Sequence, residues 1–314
     1  MRSLSMPKSM LHSVVDQRNS RTAYVLLGYA MLAWGFNVSV IKLLSTHLEA
    51  LPLSAVRMLL ALVCVWGVCL SQGQRIHGVS RHDICWLLAG GALMVYAHQI
   101  FLALGLATSS ATNGSLILGL NPILSTLLGY FLFGEKQTRR SLVGIALGLS
   151  GAGIVVIHGS DGGLRLGASG DLALVAALFT YVIAGVCIRR VSGVPPLLLG
   201  FYIHLFGALL LSAHVTLTEP GLWLKLRGLE ASFWLLAGIS AFFSTALGNL
   251  SWAYGIATIG LSRASLFLNW LPISGVLFAV MFLHEPLGIW RIAGLGCVVL
   301  GTYIALRPQG ALVR

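Results

Sequence analysis

Two stretches of this chain, ALGLATSSATNGSLILGLNPILS at residues 103–125 and AYGIATIGLSRASLFLNWLPISG at residues 253–275, align at a constant offset of 150 residues. Extended to 56 aligned pairs without a gap, the alignment holds 14 identities. The identities include pairs of residue types that constrain the backbone, namely Gly105 and Gly255, Pro122 and Pro272, and Gly144 and Gly294. Self-similarity at a fixed offset indicates an internal repeat.

Apolar runs contain both stretches and continue along almost the whole chain. A helix that crosses a bilayer needs about 20 mainly apolar residues. Ten runs have about this length, and we predict one spanning helix in each of them: 23–45, 52–72, 83–105, 108–133, 140–158, 170–190, 195–217, 231–256, 259–283 and 288–307.

The composition also indicates a lipid environment. Mean hydropathy is +0.89, and 9% of the residues are charged, whereas soluble domains carry about 25%. The net charge of +11 would suggest nucleic acid in a soluble protein, but here the basic residues lie mostly in the gaps between apolar runs. We therefore expect a lipid bilayer as partner and no nucleic acid. The five cysteines lie in apolar runs without metal-ligand spacing, so no metal site is expected.

Lysine and arginine predict the orientation, because they are enriched in cytoplasmic loops. With a cytoplasmic N-terminus, thirteen of them fall on the cytoplasmic side and four on the opposite side. We therefore expect a multi-pass protein of the inner (plasma) membrane with both termini in the cytoplasm. Residues 1–22 are polar and basic, and we expect them to form a disordered cytoplasmic tail.

The repeat determines the predicted architecture. Each copy spans five helices, with the first repeat at 23–158 and the second at 170–307. Because five is an odd number, the second copy must enter the membrane in the opposite orientation. We therefore predict an all-α membrane protein with ten transmembrane helices, arranged as two inverted five-helix repeats. This construction is typical of secondary carriers that work by alternating access.

Several motifs resemble those of one known family. The first predicted span reads AWGFNVSVIKLL at 33–44, and the second opens with LPLSAVRMLLAL at 51–62. Spans four and nine each combine a small-residue helix, a mid-helix proline and a glutamate at the far end, with His284 where the usual motif has glycine. The chain thus resembles an EamA-type transporter of the drug/metabolite transporter superfamily. The resemblance implies ten helices, a central cavity between the halves, and export or import of small metabolites, often amino acids or drugs.

Polar and aromatic side chains within the spans are the candidate cargo-binding residues, because polar groups inside a bilayer are unfavourable unless they serve a function. Trp34 and Asn37 lie three residues apart and therefore share a helix face. Each candidate can instead pack or hydrogen-bond between helices. The full set is Trp34, Asn37, His98, Asn113, Tyr181, Trp252, Arg263, Asn269 and Trp270.

No carboxylate lies near the middle of a predicted span, since all nine acidic residues fall in tails, gaps or span ends. Coupling to protons or sodium through a buried carboxylate is therefore disfavoured. His98 is the best titratable candidate for proton coupling, but it can equally be a helix–helix hydrogen-bond partner. The alternative is uncoupled facilitated diffusion.

Three cations lie within spans, namely Lys42, Arg57 and Arg263. Each lies within about two turns of a span end, so that it can reach the headgroups. Alternatively, Lys42 and Arg57 form an electropositive mouth on the external side, and Arg263 attracts an anion from the cytoplasm. The excess of cations favours a zwitterionic or anionic cargo.

Other repeated residues have structural interpretations. Glu135 and Glu285 close spans four and nine, where a carboxylate can cap the N-terminus of the following helix. Gly144 and Gly148 in span five, with Gly294, Gly296 and Gly301 in span ten, permit close helix packing. This packing either holds each half together or supports a homodimer.

These observations favour a secondary transporter that exports small organic metabolites, and its expected partner is a small-molecule metabolite such as an amino acid. A drug efflux carrier is an alternative. A channel is less consistent with the inverted repeat. An intramembrane enzyme is a remote alternative, because the spans hold histidines but no paired carboxylates and no HExxH motif, and no catalytic residue is assigned. A primary pump is excluded because the chain has no nucleotide-binding loop. No cofactor is expected.

Overall fold

The computed structural model describes residues 8–74, 79–134, 138–158, 169–259 and 264–306. Every regular element within these ranges is helical. Ten long helical stretches follow one another. They are α1 (Lys8–Leu44), α2 (Ala50–Ser71), α3 (Arg81–Thr108), α4 (111–133), α5 (Arg139–His158), α6 (Ser169–Ile188), α7 (Pro196–Thr218), α8 (231–259), α9 (265–283) and α10 (Ile289–Leu306). A short helix, Leu222–Lys225, lies between α7 and α8.

The lengths and hydropathy of these helices identify a multi-pass membrane protein. In the described part of the chain, seven helices are long and apolar enough to cross a membrane, and they belong to α1–α4 and α6–α8. Two shorter apolar helices, Phe267–Leu283 and Ile289–Ala305, belong to α9 and α10. The helical stretches coincide with the apolar runs of the sequence, because a helix satisfies its own backbone hydrogen bonds and so suits lipid.

Helix α1 begins earlier than the sequence suggested. It starts at Lys8, inside the segment 1–22 that was expected to be disordered. Residues 8–22 contain neither proline nor glycine, so nothing in the local sequence ends the helix. The structure therefore assigns helix to residues 8–22, and the disordered cytoplasmic tail stays a prediction.

Helices α3 and α8 each contain a π-helical segment. The segments are Ala92–Ala97 in α3 and Ser240–Leu247 in α8. Both end 150 residues apart, at the offset of the sequence repeat. A π segment widens the helix locally and is often found at functional sites.

Helices α4 and α9 are interrupted at corresponding places. In α4 the helix Ala111–Leu118 gives way to Asn121–Phe133, which has a proline in its first turn. In α9 the 3₁₀ turn Ser265–Asn269 precedes the helix Trp270–Leu283. Pro122 and Pro272 lie in the first turns of the helices that follow these interruptions, where the first N–H groups have no partner within the helix and the missing proline N–H is tolerated.

The two interrupted helices end in the same way. Gly134 after α4 has φ 65°, and His284 after α9 has φ 53°. Both are in the left-handed region, which glycine adopts freely and other residues rarely adopt. The backbone at His284 therefore adopts the same left-handed turn as the backbone at Gly134, although histidine is less suited to it than glycine.

The helices pack in a recurring pattern. Extensive contacts join α5 with α10, α2 with α7, and α4 with α9. Helix α1 packs on α8 and α9, and α6 packs on α3 and α4. Helix α2 packs on α8, and α7 packs on α3. All of these contacts therefore run between the two repeats. Helices α1, α2, α3 and α8 meet around the polar residues described below.

Small residues make the α5–α10 contact close. A Cβ atom at Gly301 would lie 2.5 Å from the backbone nitrogen of Gly148, and one at Gly144 would lie 2.5 Å from the backbone of Ala305. The glycines thus join the two repeats of one chain. Gly148 also makes room for Ile123 of α4, which belongs to its own repeat, so the glycines contribute both within one half and between the halves. A homodimer stays a prediction.

Candidate functional site

Arg57 on α2 lies inside the bundle, with 1% of its surface exposed. Its Nε donates to the hydroxyl of Ser240 on α8 at 3.1 Å, and its Nη1 donates to Oε1 of Gln99 on α3 at 3.2 Å. The Ser240 hydroxyl donates in turn to Oδ1 of Asn37 on α1 at 2.6 Å. Four helices therefore meet at one set of polar side chains, called here the Arg57 cluster: Asn37, Arg57, Gln99 and Ser240.

The burial of Arg57 contradicts both interpretations of this residue drawn from the sequence. Arg57 neither reaches the headgroups nor lines an exposed mouth. It lies seven residues after the start of α2, about 10 Å along the helix, and α1, α3 and α8 cover the helix face that carries it. Hydropathy along one helix cannot indicate which neighbours cover a residue. Ser240 was likewise not recognised as a site residue, because a single serine in an apolar run has packing as its usual role.

Trp34 and Trp252 form an aromatic pair beside the cluster. The indole N–H of Trp34 donates to the backbone carbonyl of Ser244 at 3.0 Å, and the two rings are 5.7 Å apart. Gly248 makes room for this contact, since a Cβ there would lie 2.7 Å from Nε1 of Trp34. Trp34 and Asn37 thus both face α8, as their three-residue spacing predicted.

His98 lies on the other side of α3, against α6. It is 6% exposed, and its Nδ1 lies 2.8 Å from the backbone carbonyl of Ala177. Because a carbonyl can only accept, Nδ1 carries the proton. The Tyr181 ring packs 5.1 Å from the imidazole. Of the two interpretations of His98, the geometry is that of the helix–helix hydrogen bond.

A second polar group lies where α3, α4 and α6 meet. Asp171 at the start of α6 is 3% exposed. Its carboxylate accepts a hydrogen bond from the hydroxyl of Ser109 and others from Nδ2 of Asn113 at 3.3 and 3.4 Å. Ser110 caps α4, because its hydroxyl accepts from the backbone N–H of Asn113 at 2.9 Å. Asn113 is therefore part of a helix end and lies apart from the Arg57 cluster.

Glu285 and Lys42 complete this end of the bundle. Glu285 accepts from the backbone N–H groups of Ala111 at 2.7 Å and Thr112 at 2.9 Å. Lys42 donates to the backbone carbonyl of Ser109 at 2.7 Å and lies in electrostatic range of Glu285. We call the whole group the end cluster: Lys42, Ser109, Asn113, Asp171 and Glu285.

The role of Glu285 as a helix cap is confirmed, but the capped helix is a different one. The sequence suggested the helix that follows it, α10, whereas Glu285 caps α4 in the other repeat. The first N–H groups of α4 are unpaired donors at the positive end of a helix and lie closer in space than those of α10. Glu135, the repeat partner of Glu285, lies outside the described residues.

The other candidate residues are scattered. Asn269 is 8% exposed at the end of the 3₁₀ turn of α9. Trp270 is 58% exposed and shares its helix face with Leu277, which is 50% exposed, so it lies apart from both clusters. Arg263 lies outside the described residues. The structure therefore brings together Trp34, Asn37 and Trp252 but not the whole candidate set.

A family model for the EamA-like transporter family matches this chain twice, at residues 21–157 and 168–307. The two matches together cover most of the chain, and their bounds are close to the two repeats expected from the sequence.

Curated relatives cover most of the chain at low identity. The uncharacterized transporter YyaM of Bacillus subtilis (strain 168) is 29% identical over 259 residues, which are 81% of each chain. A probable amino-acid metabolite efflux pump of Salmonella typhimurium is 25% identical over 288 residues, covering 87% of this chain and 91% of that one. A protein of the same description from Escherichia coli (strain K12) is 23% identical, covering 91% and 95%.

One solved crystal structure resembles this fold with a TM-score of 0.65 at 19% identity. The likeness covers 91% of this chain and 96% of that chain. At this identity, the likeness concerns the fold alone.

Proposed function

Since the chain belongs to the EamA-like transporter family, we propose that it is a secondary transporter that exports small organic metabolites by alternating access. Membership makes it a membrane transporter rather than an enzyme. The proposal adds the ten-helix inverted architecture, the mechanism and the class of cargo, namely amino acids or related zwitterionic or anionic compounds.

The observation that carries the proposal is the symmetry of the helix contacts. If each helix of the first repeat is exchanged with the helix five places later, α1 with α6 through α5 with α10, the set of extensive contacts is preserved. The α1–α8 contact becomes α6–α3, and α2–α8 becomes α7–α3. Two repeats related in this way can exchange conformations, which would open a shared site to one side and then to the other.

Irregular backbone at equivalent positions of the two repeats supports the same mechanism. The π segments of α3 and α8, the interruptions of α4 and α9, and the left-handed residues Gly134 and His284 recur in both repeats. Interruptions of this kind are places where a helix can bend. Because these places are equivalent in the two repeats, the helices of each half can bend at the same positions.

The end cluster supports closure of one end of the bundle. Its hydrogen bonds join α4 of the first repeat to Glu285 and Asp171 of the second. Opening between the repeats at this end would break these bonds. In the orientation that we propose, this end lies on the external side and both termini lie in the cytoplasm; the excess of lysine and arginine in the predicted cytoplasmic gaps supports it. We propose the inner membrane as the location.

The cargo class has two supports. Two relatives are described as probable amino-acid metabolite efflux pumps. The chain also carries a net charge of +11, with Arg57 buried inside the bundle.

A drug efflux carrier is the second candidate, favoured by the aromatic pair Trp34 and Trp252, which offers a surface for flat apolar molecules. An uncoupled facilitator is a variant of either, because no carboxylate occurs near the middle of a span.

The test is efflux from proteoliposomes that contain the purified full-length chain. A panel of amino acids, organic acids and dyes is loaded, with and without a pH gradient, and protein-free liposomes serve as the control. We expect flux of amino or organic acids above the control. Preference for cationic dyes would contradict the cargo class, and no flux of any compound would contradict the carrier. Flux that does not depend on the pH gradient would identify the uncoupled variant.

A further inference from the structure

We propose that Arg57 binds the carboxylate group of the cargo, together with the side-chain amides of Asn37 and Gln99. This inference rests on the carrier function proposed above and assigns the chemical group that is recognised and the residues that recognise it. Its basis is the direction of the hydrogen bonds in the Arg57 cluster.

The guanidinium determines the direction of every bond in the cluster, because it has five N–H donors and no acceptor. The Gln99 atom that faces Nη1 must therefore be the amide oxygen, which leaves the Gln99 NH₂ group as a donor. The Ser240 oxygen accepts from Nε, so its hydrogen points to the Asn37 oxygen, which leaves the Asn37 NH₂ group as a donor.

The cluster thus has donors left over and few acceptors. Two of the five N–H groups of Arg57 have partners within the described residues. The NH₂ groups of Asn37 and Gln99 have no hydrogen-bond partner in the same part of the chain. A carboxylate offers two oxygens with about four acceptor positions, and it matches a guanidinium with two parallel hydrogen bonds.

The charge balance points to the same ligand. Among the described residues, no carboxylate lies within ion-pair distance of Arg57. A buried charge without a counterion is strongly unfavourable, and an unpaired cation inside a membrane domain indicates a function by default. One carboxylate supplies one negative charge. A phosphate monoester carries about −1.5 to −2 charges and fits less well, because Arg57 supplies one positive charge and Lys42, five residues beyond Asn37 on α1, is bound to the Ser109 carbonyl.

Aromatic side chains lie next to the cluster and could contact the rest of such a molecule. Trp34 lies one helical turn from Asn37, and Trp252 packs on its ring. The Arg57 cluster therefore continues along α1 and α8 into an aromatic surface. The end cluster lies in the other direction, since Lys42 is five residues beyond Asn37, about 8 Å along α1. A carboxylate on Arg57 would thus lie between the closed end and the aromatic pair.

A purely structural role for Arg57 makes a different prediction. Because a buried charge without a counterion is unfavourable, an apolar residue of similar volume at position 57 is compatible with a folded protein. If Arg57 only joined helices, Arg57→Met would leave ligand discrimination unchanged. If Arg57 binds cargo, Arg57→Met would remove discrimination between a carboxylate and its amide while the protein stays folded.

The experiment measures binding to the purified full-length chain by tryptophan fluorescence and by thermal stabilisation. The probes are matched pairs: benzoate and benzamide, L-leucine and L-leucinamide, indole-3-acetate and indole-3-acetamide. The variants are Arg57→Met and Arg57→Lys, and Lys225→Met is the control because it removes a positive charge from an exposed position on the short helix before α8.

We expect at least one carboxylate to bind the unmodified protein about tenfold or more tightly than its amide. Arg57→Met should weaken that carboxylate about 10–100-fold and leave the amide unchanged. Arg57→Lys should give an intermediate loss, because an ammonium lacks the forked geometry. Lys225→Met should behave like the unmodified protein.

The proposal is overturned by amides that bind as tightly as carboxylates, by discrimination that persists in folded Arg57→Met, or by no carboxylate binding at concentrations up to about 10 mM.

If Arg57→Met does not fold, the variant Asn37→Asp tests the proposal instead, since it places a carboxylate beside Ser240 and Arg57. It should raise the unfolding temperature and abolish carboxylate binding, and unchanged binding in this variant contradicts the proposal. Flux of neutral or cationic compounds without a preference for carboxylates refutes this inference but is compatible with the proposed carrier function. Carboxylate binding without any flux supports this inference but contradicts the proposed carrier function.

Discussion

Glu285, in the turn after α9, caps the first turn of α4 by accepting the backbone N–H of Ala111 at 2.7 Å. The residues are 174 positions apart in sequence and belong to different repeats. A single carboxylate therefore holds one end of the bundle together across the boundary between the repeats. Its second oxygen accepts from the neighbouring Thr112 N–H, so both acceptors are used.

Glu285→Gln should weaken this cap, because a glutamine side chain has one acceptor oxygen where the carboxylate has two. We expect a loss of about 1–3 kcal/mol in the free energy of unfolding, measured by thermal unfolding in detergent. Glu219→Gln is the control, since Glu219 at the C-terminal end of α7 has no side-chain hydrogen bond within the described residues. Equal effects of the two variants would show that the cap is unimportant.

Asn113 and Asp171 should tolerate exchange but not single replacement. Asn113→Asp places two carboxylates side by side, and Asp171→Asn removes the negative charge and one of the two oxygens that accept hydrogen bonds from Ser109 and Asn113. Each single variant should lose about 1–3 kcal/mol of stability. The double variant should recover most of that loss, because the amide at position 171 can donate to the carboxylate at position 113. Additive losses in a double-mutant cycle would contradict a direct interaction.

Gly301→Ala should destabilise the contact between α5 and α10. The new Cβ would lie 2.5 Å from the backbone nitrogen of Gly148, and backbone cannot move aside as a flexible side chain can. We expect a loss of about 1–3 kcal/mol. Gly296→Ala on the same helix is the matched control, because a Cβ there meets nothing within 4 Å. It should be neutral or stabilising by up to about 1 kcal/mol, and a similar loss in both variants would refute the packing argument.

His284→Gly should stabilise the protein. His284 has φ 53°, and a left-handed conformation is unfavourable by about 1–2 kcal/mol for a residue with a Cβ. Glycine removes this strain, so the unfolding temperature should rise. Gly134→Ala at the repeat partner should lower it for the same reason, although a Cβ there meets nothing within 4 Å. A decrease for His284→Gly would mean that the imidazole makes contacts that outweigh the strain.

Much of the fold could be predicted from the sequence because lipid leaves few alternatives. A spanning segment must be long, apolar and helical, so run length alone located the helices. The 150-residue offset also predicted where backbone would deviate, since Pro122 and Pro272 each follow an interruption in their helix. These features depend on local sequence, which a single chain displays directly.

The candidate site could be predicted only in part, because its contacts join residues far apart in sequence. Trp34 and Asn37 were found through their shared helix face. For Arg57 the sequence suggests either the headgroups or an external mouth, since its distance from its own helix end says nothing about the helices that cover it. Glu285 was assigned to the nearest helix in sequence, whereas it caps a helix in the other repeat. Such contacts are determined by tertiary packing.

Counterflow in proteoliposomes tests the central claim of alternating access most directly. Liposomes with the full-length chain are loaded with a high concentration of an unlabelled carboxylate that gave flux in the panel, and a trace of the labelled compound is added outside. A carrier that exposes its site to one side at a time predicts labelled uptake that transiently exceeds its equilibrium value. Simple equilibration without an overshoot, at a rate independent of the internal load, would contradict alternating access and indicate a channel.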